Sequence, residues 1–67
     1  MNCTLLRQTR KSKGFTQQEM AEVLGYKTKG GYSLLEKGLV KCTTDQARVI
    51  RDKLGLNVTD FEQIFLA

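Results

Sequence analysis

The side chains that could do chemistry in this chain are mostly cations, and they crowd one stretch. In GYKTKGG, residues 25–31, Lys27 and Lys29 flank Thr28 just ahead of a glycine pair. Cations and a hydroxyl beside bare backbone suit a phosphate. A nucleotide-binding P-loop is excluded, because the Gly-Lys-Ser/Thr ending is missing and no strand-like run precedes the stretch. Catalysis has no candidates: there is no His, no carboxylate pair in an apolar setting and no Cys–His pair. Cys3 and Cys42 fall in no metal-ligand spacing and read as small core residues, so neither a metal nor a cofactor is expected.

The charge is unevenly spread. Up to Lys41 eight basic residues (Arg7, Arg10, Lys11, Lys13, Lys27, Lys29, Lys37, Lys41) face three acids, Glu19, Glu22 and Glu36. From Cys42 onward Arg48, Arg51 and Lys53 meet Asp45, Asp52, Asp60 and Glu62. A basic half points to a polyanionic partner. Sixty-seven residues suit one domain, residues 1–67, with a small core and no length to spare for a ligand-sensing or catalytic unit. No apolar run is long enough for a membrane or a secretory leader, so the expected location is cytoplasmic, on the nucleoid.

Five helical pieces must position those cations. Gly14, Gly25, Gly38 and Gly55 each follow a helix-like segment, as C-cap glycines do. FTQQEM is a capping box, Thr16 with Glu19, with Phe15 and Met20 as its hydrophobic staple. Met20, Ala21 and Leu24 follow on one face. TTDQARVIRDKLGL opens from Thr43 or Thr44 and lines up Ala47, Ile50 and Leu54, with Leu56 folding back past Gly55. NVTDFEQIFLA opens from Asn57 or Thr59 and gathers Phe61, Ile64 and Phe65. The first helix, about Thr4 to Lys13, has a weaker stripe through Leu5 and Leu6. Nothing alternates with period two, and the fold class is all-α.

Helix two, Gly25 and helix three have the parts of a helix-turn-helix: small Ala21 at the crossing, a glycine to reverse the chain, and Tyr32 with Leu35 to seat the second helix. In LRQTRKSKGFTQQEMAEVLG, YSLLEKG and LGLNVTDFEQIF, and in their order, the chain resembles the lambda-type repressor and Cro family of bacterial and phage proteins. The resemblance covers nearly all of residues 4–65 and implies a five-helix lambda-repressor-like domain. Its recognition helix would span about residues 28–37 and enter the major groove of DNA.

The resemblance also implies roles. Gln17 would anchor a phosphate beside the start of helix two, and Arg10 would form a partly buried ion pair with Glu36. Thr28 would cap helix three, placing Lys29, Gly30 and Gly31 in its first turn. Lys29 would meet base edges, Gly30 and Gly31 would let the backbone approach DNA closely, and Ser33 and Leu34 would offer a hydroxyl and an apolar contact. Lys27, Thr28, Lys37 and Lys41 would hold phosphates on either side, whereas Lys11 and Lys13 read as solvated charges. From Gly25 to Glu36 there is one residue more than the family pattern, which the stretch YKT absorbs as a longer turn. Tyr32 stands where the family has Ile or Val, so its hydroxyl should find a partner or reach solvent.

The function implied is a sequence-specific, double-stranded DNA-binding transcriptional regulator without enzyme activity or small-molecule ligand. It would bind a two-fold operator as a homodimer joined through Phe61, Phe65 and Leu66. The alternative is a small antirepressor or antitoxin that works mainly by binding a regulatory protein partner through the same C-terminal residues.

Overall fold

A computed structural model describes residues 1–66 as five helices, with no strand among them. They are α1 (Cys3–Ser12), α2 (Gln17–Val23), α3 (Lys29–Glu36), α4 (Thr44–Leu54) and α5 (Val58–Phe65). Helix α1 begins a residue earlier than its apolar pattern suggests, because the Asn2 side chain caps it by accepting from the Leu5 N–H. The Asn2 N–H donates to the Ile64 carbonyl at 2.6 Å and so ties the start of α1 to the last turn of α5.

Side-chain caps fix the other starts. Reciprocal capping boxes open α2 (Thr16 with Glu19) and α4 (Thr43 with Gln46), and Asn57 opens α5. The bond from the Thr16 N–H, and then the Thr16 hydroxyl, hold the Glu19 carboxyl below its ordinary value. The glycines that close the segments, Gly14, Gly25, Gly38 and Gly55, all have φ between 66° and 84°. At Gly25 this left-handed residue turns the chain from α2 towards α3, and a side chain there would be strained.

The core is one cluster fed by all five helices: Leu6, Met20, Ala21, Tyr32, Leu35, Ile50, Leu54, Leu56 and Ile64. Helix α2 packs against α3 and α4, while α1 packs against α5 and α3. Burying a Leu, Ile or Met side chain contributes about 1.5–3 kcal/mol, so this short list supplies most of what orients α3.

One expectation fails in the core. Tyr32 is wholly buried and its hydroxyl has no hydrogen-bond partner, because the ring points into apolar packing from the inner face of α3. Burial pushes its ionisation far above the ordinary value, and the negative Glu36 adds to the rise. The cysteines meet the core expectation only in part: both are half-buried free thiols on the wall of a groove, and Cys42, whose thiol burial raises, packs against the core cluster while Cys3 does not.

Candidate nucleic-acid interface

Helix α3 begins at Lys29, with Thr28 extended at its N-cap, so both glycines lie inside its first turn. Thr28 caps with its backbone alone. Its side chain makes no capping bond, and the Gly31 N–H reaches the Thr28 carbonyl at 3.2 Å. The two glycines face opposite ways. A Cβ on Gly30 would meet only Thr28 Oγ1, at 3.6 Å, whereas one on Gly31 would sit 2.7 Å from Tyr26 Cδ1 and 3.1 Å from its Cγ. Gly31 is therefore removed from the outward face. Its missing side chain makes room for the protein's own ring, not for a duplex.

The outward stripe of α3 carries Lys29, Gly30, Leu34 and Lys37, all exposed, with Ser33 half-buried beside them. Leu34 leaves 44% of its surface in solvent, a large value for a leucine with the inner face of the same helix fully packed. Lys27 and Thr28 lie exposed in the turn before α3, and Lys41 in the loop after it.

Behind this stripe lies a buried polar network. Arg10 Nε donates to Glu36 Oε1 at 2.7 Å, with the two side chains only 7% and 2% exposed. A second Arg10 nitrogen donates to the Phe15 carbonyl at 2.7 Å, which pins the α1–α2 turn. Glu36 accepts once more, from Gln17 Nε2 at 2.6 Å. One carboxylate at the end of α3 thus holds both α1 and α2. The network turns the Gln17 amide towards Glu36, which takes one of its two N–H donors, while the residue stays half-exposed on the wall of the basin described next.

An open basin of about 700 Å³ flanks the start of α3 and α2, lined by Arg7, Lys11, Gln17, Gln18 and Lys29 among others. No carboxylate among the described residues lines it. Arg10 also borders it, but its charge is already met by Glu36. Lys11, exposed as the sequence suggests, opens on the same space as Lys29, and so does Arg7, which the sequence reading did not single out. The signal was present, since Arg7 lies three and four residues before Arg10 and Lys11 and so shares one helical face with them. Helix α2 has only seven residues, so the attraction for an anion here comes from these side-chain cations rather than from a helix dipole.

On another side, a groove of about 610 Å³ runs between the loop after α3 and the helix α5. Phe61, Phe65, Leu66 and Val40 line it together with Lys37 and Lys41. The Phe61 and Phe65 rings stack at 4.9 Å, and Phe65 packs against the core. Leu66, 71% exposed, does not. Of the three C-terminal residues singled out in the sequence, Leu66 is the one with free apolar surface.

A family model described as helix-turn-helix matches residues 6–61, which runs from within α1 to the first turn of α5. No curated protein and no solved structure matches the chain.

Proposed function

The chain belongs to the lambda-repressor and Cro type of helix-turn-helix family, a DNA-binding family, and from that premise we propose that it is a sequence-specific transcriptional regulator acting at an operator. Helix α3 enters the major groove, and the bound protein blocks or redirects polymerase. Lys29, Ser33 and Leu34 face base edges, and Gly30 keeps the helix backbone close to them. Lys27, Thr28, Lys37 and Lys41 take phosphates, joined by Arg7 and Lys11.

The observation that carries this reading is the carboxylate-free basin in which cations of two different helices, Arg7 and Lys11 of α1 and Lys29 of α3, open beside the first turn of α3. Charges that merely kept the protein soluble would be interspersed with acids. Concentrated on one face, they raise the affinity for a polyanion. One such domain offers a small interface, so specificity is completed by a homodimer whose half-sites lie about 34 Å apart.

Titration of duplex DNA against salt tests this. Affinity should fall steeply from about 50 to 200 mM salt, with a log–log slope near −0.9 per phosphate contacted. Lys41→Ala should lower that slope by about one and weaken all sequences alike. A flat titration would end the DNA reading and favour the second one, a regulator that acts by binding a protein. That alternative draws on the apolar groove with exposed Val40 and Leu66 on its wall.

A further inference from the structure

The pair Tyr26 and Gly31 has no counterpart in the roles assigned so far. Tyr26 is the first residue after Gly25, and its N–H donates to the Ala21 carbonyl at 2.9 Å as α2 ends. Its ring then lies across the first turn of α3. A Cβ added to Gly31 would approach Tyr26 Cδ1, Cγ and Cβ at 2.7, 3.1 and 3.4 Å. These are atoms at the base of the ring, which cannot swing clear as the tip of a long side chain can. At the other end, the Tyr26 hydroxyl accepts from Gln46 Nε2 at 3.0 Å. Gln46 is fixed in turn by the capping box of α4, where its Oε1 accepts from the Thr43 N–H and its own N–H donates to the Thr43 hydroxyl. The start of α4, the turn and the start of α3 are thereby joined through one aromatic ring.

We infer that Tyr26 is the positioning residue of the recognition helix: its ring, seated on Gly31 and held by Gln46, sets the register in which Lys29 and Ser33 meet the bases. Thr28 provides no side-chain cap to stiffen the start of α3, and the ring supplies that constraint instead. Gly31 is then a glycine for packing, while Gly30 remains the one glycine open to a ligand. The inference rests on the DNA-reading proposal for its consequence but not for its geometry.

The test is a mutant cycle on the full chain: Gly31→Ala, Tyr26→Ala, the two combined, and Tyr26→Phe. For each, thermal stability is measured and binding sites are selected from a random duplex pool. A base contact that is lost or misplaced alters preference by about tenfold. Gly31→Ala should therefore change the favoured base at one or two positions by about that factor while keeping the salt slope. In the Tyr26→Ala background the same substitution should change nothing further. Tyr26→Phe, which keeps the ring on Gly31 but loses the bond from Gln46, should stay closer to the wild-type preference than Tyr26→Ala does. Equal effects of Gly31→Ala in both backgrounds would overturn the proposal. So would a Tyr26→Phe variant as altered as Tyr26→Ala, because the ring would then not be the seat. If Gly31→Ala unfolds the protein, recovery of folding in the double variant supports the clamp, and failure to recover overturns it. Should the wild type select no sequence at all, the DNA reading is what fails. The stability cycle then decides the clamp alone: additive losses refute it, and a loss cancelled by Tyr26→Ala sustains it.

Discussion

The side of the molecule built around α3 and the side built around α5 are made on different terms. Around α3 every outward-facing group is backed by a fixed inner one: Glu36 holds Arg10 and Gln17, Tyr32 and Leu35 have no exposed surface, and Gly31 receives Tyr26. Around α5 apolar surface is left over, on Val40 and Leu66 of the groove and on Val58 of α5 itself, which is 73% exposed. The first side keeps one shape, which suits the reading of a rigid duplex. The second has area to be covered, which suits joining another chain. The contrast teaches that even so small a chain can back one surface with a buried polar network and leave apolar area open on another.

The largest effect should come from breaking the ion pair. Glu36→Ala leaves Arg10 buried with the Phe15 carbonyl as its one remaining partner, and releases Gln17. A loss of about 3–5 kcal/mol in urea unfolding is expected, much of the stability of a domain this size. Replacing both charges, Arg10→Met with Glu36→Leu, should cost less than the single change. A single-variant loss below about 1 kcal/mol would show that the α3 side is not held from within as the contrast requires.

Next is the α5 side. Leu66→Asp should leave the unfolding midpoint unchanged, since most of that side chain lies in solvent. Self-association measured by sedimentation should nonetheless weaken by about 2 kcal/mol, as at an interface hot spot. Phe65 is a poorer probe because it also packs on the core. An unaltered sedimentation profile would place the dimer surface elsewhere.

Lys29→Ala sharpens the contrast on the α3 side and should cost about 1–3 kcal/mol with relaxed preference at one operator position. Lys29 also borders the basin shared with Arg7 and Lys11. Uniform losses on all sequences would therefore assign it to phosphate rather than to a base.

The local rules of the fold were legible in the sequence because they act over three or four residues. The Thr16–Glu19 box, the positive-φ glycines and the stripe of Ala47, Ile50 and Leu54 all emerge where spacing puts them. What spacing could not supply was direction. Gly30 and Gly31 are neighbours in sequence, yet one faces solvent and the other a ring five residues back, and only the path of the turn decides that. The inward rotation of Gln17 likewise depends on how α2 meets the end of α3, nineteen residues away in sequence. That Lys11 shares a basin with Lys29 also depends on how α1 packs against α3, which leaves no trace in periodicity.

The smallest effect concerns Tyr32, where the inner face of α3 carries one buried group that nothing satisfies. An unpaired buried hydroxyl costs more than it returns, so Tyr32→Phe should stabilise the protein by about 1 kcal/mol at neutral pH. The pH dependence gives an independent check. Folding raises the Tyr32 ionisation above its unfolded value of about 10, by burial first and by Glu36 second. A group with a raised folded value contributes its full share below the unfolded value. That share is lost as pH climbs beyond about 10 towards the folded one, because the unfolded chain releases the proton first. The difference between wild type and Tyr32→Phe isolates this one hydroxyl. The stability gap should be constant from pH 6 to about 9 and then widen in favour of the variant. A variant less stable than wild type would mean that the hydroxyl has a partner after all, and a gap that stays level above pH 10 would mean that it reaches solvent. The inner face of α3 would then be fully satisfied, and the two sides of the molecule would differ even more than they do.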